Sequence, residues 1–189
     1  MTPLKHHPEW IKMLNGEIYE ATNSEFLEGL LETRAKLWEF NNLNPHEIEK
    51  QHSIIRNLLG SHRENFTINQ PFRCDYGCNI HIGENFFANF NLTILDEARV
   101  EIGDNAFIGP NVSIFTACHP LDPQQRNTGV EWAEPVKIGD NVWIGGCVTI
   151  LPGVSVGDNV VIGAGSVVTR DIPSDVVVGG NPARIIKHL

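Results

Sequence analysis

The chain is 189 residues long, 41% hydrophobic and 20% charged, with a formal net charge of −9. That length admits one domain, or one domain with an appendage, and the composition is that of a soluble globular chain. The acidic balance argues against a nucleic-acid surface, and no apolar run is long enough to span a membrane.

The opening MTPLKHHPEWIKML lacks the apolar stretch of a secretory leader, so a cytoplasmic location is expected. Residues 1–60 then have a helical texture. In TNSEFLEGLLETRAKLWEFN, Leu27, Leu30, Leu31 and Trp38 recur near helical spacing, and Asn23 or Ser24 is available as N-cap. In NPHEIEKQHSIIRNLLG, Asn44 reads as an N-cap, Pro45 as the first helical residue and Gly60 as the stop. Ile48, Ile55, Leu58 and Leu59 form the apolar stripe of that second helix. These helices are expected to cap the exposed end of the repeats beyond residue 60, as such arrays require.

After residue 60 the period changes. Ile82, Ala88, Ile94 and Val100 are six residues apart, and Ile102, Ile108 and Ile114 form a second such series, offset by two. Ile138, Ile144, Ile150, Val156, Ile162 and Val168 form a third. Glycines follow many of them directly, among them Gly83, Gly103, Gly109, Gly139, Gly145, Gly157 and Gly163. Neither a helix nor a single strand repeats at six. A coil of short strands and tight corners does, with one aliphatic pointing inward per strand and glycine at the crowded corners. Three sixes close one turn, so Ile138 and Val156 are predicted to stack, and the stacked turns bury a narrow core of Ile and Val. His81, between Ile80 and Ile82, is predicted to point outward.

The pattern fails between Ile114 and Ile138, over FTACHPLDPQQRNTGVEWAEPV. Ile102 and Ile138 are 36 residues apart, the length of two full turns, yet the second half loses its aliphatics. The segment near 116–135 therefore reads as an extended loop leaving the coil, which on a regular scaffold is usually functional. His119 and Trp132 argue against disorder there. His119 stands at the loop's root between Cys118 and Pro120, and the proline biases it to an extended backbone. Neighbouring side chains then face apart, which weakens any Cys118–His119 nucleophile pair. Cys74, Cys78, Cys118 and Cys147 lack the spacing of a zinc ribbon and read as reduced thiols, with no metal required.

The stretch NIHIGENFFANFNLTILDEARVEIGDNAFIGPNVSIFTACHP, followed by EPVKIGDNVWIGGCVTILPGVSVGDNVVIGAGSVVTRDIP, closely resembles the hexapeptide-repeat sugar O-acetyltransferases, the maltose, galactoside and Nod-factor enzymes. NGEIYEATN and the helices behind it resemble that family's N-terminal maltose-acetyltransferase segment. The resemblance implies a mainly β fold, a left-handed parallel β-helix of hexapeptide repeats, and its handedness rests on the resemblance alone. It implies a helical segment over residues 1–60 and a β-helix domain over 61–189 with the inserted loop and a C-terminal tail. It also implies a homotrimer with sites between subunits, acetyl-CoA as cosubstrate, and a sugar or glycoside acceptor attacked directly in a ternary complex.

By the same resemblance His119 is the catalytic base. An imidazole titrates near neutrality and takes the proton of an attacking hydroxyl. The tetrahedral oxyanion needs a positioned donor, for which the backbone N–H of Gly146 is the candidate. Trp143 would wall the thioester channel. Ala164, Thr169, Arg170, Arg184 and Lys187 match coenzyme-binding positions, with backbone near Gly146 and Ala164 taking the pantetheine and the cations the phosphates. Asp75, Asn89 and Glu97 match sugar-contacting positions, with support of His119 or capping of an internal turn as the other reading of Asn89. Asp75 stands where the galactoside enzyme has serine and Glu97 where it has aspartate, and Glu20 lies beside the position, Ala21, that matches an N-terminal acidic contact. Asp96 and Glu97 are the next carboxylates in line as base. Other readings are transfer to a non-sugar hydroxyl such as an antibiotic or serine, a trimeric scaffold without chemistry, and a carbonic-anhydrase-like metalloenzyme. The last would need a histidine cluster where the repeats offer only His81 and His119.

Overall fold

The computed structural model describes residues 6–189. Helix α1 (Pro8–Leu14) buries Trp10 and Met13. Helix α2 (Ser24–Asn42) is capped by Asn23, whose side chain accepts from the Glu25 N–H at 2.8 Å. Its buried face is Phe26, Gly29, Thr33, Leu37 and Phe40, not the expected stripe. Leu27, Leu31 and Trp38 are exposed by 51%, 62% and 70%. The true face was hidden because two of its members are not apolar: Gly29 admits close packing, and Thr33 donates to the Tyr76 carbonyl at 3.3 Å.

Helix α3 (Ile48–Leu58) begins later than expected, with Glu47 as N-cap and no side-chain cap bond. Asn44 instead organises a separate turn, its side chain accepting from the His46 N–H and its carbonyl from the Glu47 N–H. Ile48 is consequently exposed, whereas Ile55, Leu58 and Leu59 are buried as expected. Gly60 donates to the carbonyls of Gly77 and Ile80. A Cβ there would lie 2.1 Å from the Cys78 carbonyl oxygen, so only glycine lets the helix end this close to the coil.

The coil has three faces of parallel strands. The first holds Phe66–Ile68, Phe86–Ala88, Phe107–Ile108, Trp143–Ile144, Val161–Ile162 and Val176–Gly179, closed by the antiparallel Arg184–His188. The second holds Phe72–Cys74, Leu92–Leu95, Ser113–Phe115, Thr149–Ile150 and Val167–Val168. The third holds Ile80–Ile82, Val100–Ile102, Val136–Ile138 and Ser155–Val156. Ile138 pairs with Val156 as predicted. Ile102, however, pairs directly with Ile138. The 36 residues between them hold one turn plus the loop, and their match to two turns is a coincidence of loop length. The offset of two also has a cause. Ile82 pairs with Ile102 and Ile94 with Ile114, so these early turns carry two extra residues, both at the corner that follows the second face.

Corners after the third face are fixed by ladders running from turn to turn. The Asp104 carboxylate accepts from the Glu84 N–H, that of Asp140 from the Asp104 N–H and that of Asp158 from the Asp140 N–H. Beside them Asn85, Asn105, Asn141 and Asn159 adopt the left-handed backbone, φ 55–57°, and bond side chain to side chain. Leu37, Phe40, Ile55, Leu58 and Leu59 share one apolar cluster with the coil's inward residues. The helices therefore complete the coil's first turns.

Candidate active site

Three successive corners after the second face depart from the six-residue rule, at Asp75–Asn79, at Asp96–Arg99 and over 116–135, and the candidate chemistry collects there. Asp96 is fully buried. Its carboxylate accepts from the backbone N–H groups of Asp75, Tyr76 and Asn79 at 3.1, 2.9 and 3.3 Å. Burial pushes its pKa up to about 7 against the lowering effect of those donors. Its oxygens are committed to holding the preceding corner, so it is a bracket.

Glu97 beside it is also buried and bonds to the Thr116 hydroxyl at 3.3 Å. Burial first, then the hydrogen bond to Asp75 and that group's charge, push Glu97 up to about 9. Burial and the neighbouring carboxylate favour its protonated form. Asp75 and Glu97 form a carboxyl pair that can donate to and accept from one hydroxyl.

The expected loop is an ordered excursion. Ala117–Cys118 pairs antiparallel with Val130–Ala133, which pairs in turn with Tyr19–Glu20 from the N-terminal segment. A short helix α4 (Pro123–Arg126) caps the turn, and the Arg126 guanidinium donates to the carbonyls of Pro120 and Leu121 at 3.0 and 3.3 Å. These contacts hold the backbone next to His119. The His119 ring is 61% exposed, with Nδ1 3.4 Å from Glu131 Oε2. The other oxygen of Glu131 accepts from the Tyr19 hydroxyl at 2.8 Å, and Tyr19 is buried. Burial and the Glu131 charge raise the Tyr19 pKa, so its hydroxyl stays a donor. Sequence reasoning missed Glu131 and Tyr19. No spacing links either to His119, and only the strand pairing Cys118↔Trp132 and Tyr19↔Glu131 does.

The coenzyme candidates lie elsewhere. Trp143 is 59% exposed on the outside of the first face. With Phe87 and Phe107 it borders a cleft of about 520 Å³ that also contains Asn89, Gly146 and Ala164. The N–H groups of Gly146 and Ala164 have no acceptor among the described residues. Two such free donors in one cleft suit a developing oxyanion and an amide carbonyl. Arg184 pairs with Gly179 at the same end of the first face, near this cleft. Lys187 pairs with Val177, towards the other end of that face. Thr169 and Arg170 are exposed on the corner after the second face, beyond Val167–Val168. Within one chain, then, Trp143, Gly146, Ala164 and Asn89 come together. Asp75 and Glu97 form a separate group on the corner that carries His119, so Asn89 parts from the other two acceptor candidates. Glu20 lies in the strand pairing with Val130. His81 faces outward, half-buried, with Nδ1 2.8 Å from the Ser61 hydroxyl, and burial lowers its pKa. None of the four cysteines is in a disulfide, and no described group of His, Cys, Asp and Glu is arranged to hold a metal.

Two family models match the chain. One, described as bacterial transferase hexapeptide (six repeats), matches residues 135–170, and the other, the maltose acetyltransferase hexapeptide capping motif, matches residues 12–63. A galactoside O-acetyltransferase of Escherichia coli (strain K12) is 47% identical over 170 residues, covering 88% of this chain and 84% of its own. The crystal structure of a maltose O-acetyltransferase from Clostridium difficile 630 matches with a TM-score of 0.93 at 50% identity, over 97% of this chain and 98% of that one. A galactoside acetyltransferase in complex with coenzyme A matches with a TM-score of 0.92 at 43% identity, over 97% and 92%. Coil, cap and repeats thus define a transferase of the hexapeptide-repeat class, folded as a left-handed β-helix of about six turns. The chain belongs to the hexapeptide-repeat sugar O-acetyltransferases, the family of the maltose and galactoside enzymes, and is an acyltransferase.

Proposed function

We propose that the protein moves an acetyl group from acetyl-CoA to a hydroxyl of a sugar or glycoside, with His119 as general base. The observation that carries this reading is the Tyr19–Glu131–His119 chain. It fixes Nδ1 of an exposed imidazole against a carboxylate. That leaves Nε2, which has no partner among the described residues, to meet an acceptor hydroxyl. The hydroxyl oxygen attacks the thioester carbonyl as its proton passes to Nε2. The tetrahedral oxyanion accepts from the Gly146 N–H, and its collapse expels the coenzyme A thiolate, which recovers the proton from the imidazolium. Each step uses a protein group, and no metal is required.

The relatives support the cosubstrate and the acceptor class. One is a galactoside O-acetyltransferase, and a related structure holds coenzyme A. Trp143, Gly146, Ala164 and Arg184 would line the coenzyme's path, with Thr169, Arg170 and Lys187 meeting its outer end, and Asp75, Asn89 and Glu97 would hold the acceptor. The cleft of Trp143, Gly146 and Ala164 stands apart from the corner of Asp75, Glu97 and His119 within one chain, which supports a homotrimer in which a neighbour's cleft meets the His119 corner. Tyr19, from the segment before residue 60, supports the base in the segment after it. Free thiols suit a reducing, cytoplasmic setting. The test is acetyl-CoA turnover against a panel of glycosides, hydroxylated antibiotics and serine, with product mass as the readout. Turnover with glycosides supports the reading. Turnover with antibiotics or serine alone overturns the acceptor class.

A further inference from the structure

A second groove, of about 400 Å³, runs between helix α2 and the second face of the coil, and Asp75 lies on its wall. Trp38, Arg34, Arg73 and Thr93 line it as well. Three observations mark it as more than a surface dent. The first is Trp38, which leaves 70% of its surface in water on a helix that buries Leu37 and Phe40 beside it. An indole ordinarily carries too much apolar surface to be left outside without a partner. The second is charge. Arg34 comes from the helix and Arg73 from the strand Phe72–Cys74, and neither has a carboxylate within 4.0 Å among the described residues. Two unpaired guanidiniums in one groove stand out on a chain of net charge −9. The third is stiffness. Asn41 donates to the Phe72 carbonyl and accepts from the Phe72 N–H, both at 2.9 Å, which ties the helix to the coil along the groove.

The structure assigns this groove to the distal ring of the acceptor: a glycoside whose second ring lies on Trp38 and carries a carboxylate held by Arg34 and Arg73. The assignment rests on the reading of Asp75 as an acceptor contact, since Asp75 lies on this groove and on the corner beside Glu97. An aromatic face receives the apolar face of a sugar ring, and guanidinium forks match a carboxylate in shape and charge. The neighbouring Asp75–Glu97 pair suits an uncharged hydroxyl. The anion therefore belongs at the far end, away from the reacting group. Contacts so far from the reacting atoms hold substrate and transition state alike, so they act on KM and leave kcat nearly alone.

The test compares three acceptors at saturating acetyl-CoA: a methyl glycoside, a neutral disaccharide, and the same disaccharide ending in a uronate. The unsubstituted protein is expected to favour the uronate over the neutral disaccharide about tenfold or more in kcat/KM, carried by KM, and less so at high salt. The double variant Arg34→Gln/Arg73→Gln should bring that ratio to about two or below. Trp38→Ala should raise KM for both disaccharides and keep the ratio. No preference in the unsubstituted protein, or a preference that survives the double variant, overturns the assignment. So does a Trp38→Ala protein whose sedimentation changes while its acceptor KM does not, because the indole would then be covered by a second copy. If no glycoside is acetylated at all, the function proposed above fails. Equilibrium binding of the uronyl disaccharide, read as quenching of tryptophan fluorescence lost in Trp38→Ala, still decides the groove: quenching supports it and its absence sinks it.

Discussion

Glu131→Gln separates the charge of this residue from its shape. The amide keeps the shape and one carbonyl oxygen: turned to His119 Nδ1, 3.4 Å from the carboxylate in the native chain, it sets the NH2 group against the Tyr19 hydroxyl, which then accepts where it donated before. What is lost is the charge that steadies the imidazolium as it forms. A hydrogen bond to a charged group contributes about 1.5–3 kcal/mol and a neutral one about 0.5–1.5, a difference of about 1–1.5 kcal/mol. The imidazole is 61% exposed, and solvent screening cuts this to about 0.5–1 kcal/mol. That corresponds to a fall in kcat of about two- to fivefold. Glu131→Ala removes the acceptor too and strands the buried Tyr19 hydroxyl, so it should cost about tenfold or more in kcat together with about 1–3 kcal/mol of stability. The assay is steady-state kinetics with both substrates varied, beside calorimetric Kd values for coenzyme A and a melting curve. The expected pattern is lower kcat, unchanged coenzyme affinity, and substantial rescue by glutamine relative to alanine. Native kcat in Glu131→Gln, with activity in Glu131→Ala lost only in step with its Tm, would show that the carboxylate is a strut for the hairpin.

Glu97→Gln tests the carboxyl pair by pH. The folded pKa of Glu97 is raised to about 9 from an ordinary value of 4.5, so its stabilising contribution is full below the lower value and is lost as pH rises through the upper one. The native Tm should fall between about pH 5 and 9 more steeply than that of Glu97→Gln, and parallel curves would contradict the raised titration of this buried carboxyl. At Gly145 an added Cβ would lie 2.6 Å from the Ala164 nitrogen and 2.9 Å from the Ile162 oxygen. Gly145→Ala should therefore cost about 1–3 kcal/mol, or roughly 2–12 °C in Tm at this chain length, and raise KM for acetyl-CoA. Gly163→Ala, where the nearest atom is 3.4 Å away, is the control, and equal melting of the two would refute the argument. Arg170→Ala and Arg184→Ala should each raise KM for acetyl-CoA by more than that for the acceptor, by the worth of one charged contact, about 1.5–3 kcal/mol. Equal effects on both substrates, measured kinetically, would remove these residues from the coenzyme path.

The coil was legible because its inward residues obey one spacing and its corners repeat one chemistry, from Ile82 and Gly83 to Ile162 and Gly163. The irregular corners were legible only as interruptions. The shift of two between the first series was visible, but not that the extra residues build a corner bracketed by Asp96. The 36-residue gap could be counted, but not that Ile102 sits directly against Ile138. Helix α2 was misread because its buried face includes Gly29 and Thr33, while Leu27, Leu31 and Trp38 mark an equally periodic outer stripe. Asn44 carries the signature of a helix start and makes a turn instead. At the site, His119 could be picked out by its place at the loop's root. Glu131 could not, since it reaches His119 through antiparallel pairing and is held by a tyrosine from the far end of the chain. Nor could sequence position show that Asn89 shares a cleft with Trp143 and Gly146 while Asp75 and Glu97 lie one corner away.

The central claim is that His119 removes the proton of the acceptor hydroxyl. The most direct measurement is kcat of His119→Ala for glycoside acetylation, taken beside the coenzyme A Kd and the melting temperature of the same protein. The ring is largely exposed and its one described side-chain partner is Glu131, so the variant should fold with nearly native Tm. Its kcat should fall by about 10²–10⁴-fold, while coenzyme affinity stays close to native because the coenzyme candidates lie on other parts of the coil. A folded His119→Ala protein that acetylates glycosides at a near-native rate would contradict the claim and would make Glu131, Glu97 and Asp96 the next carboxylates to test.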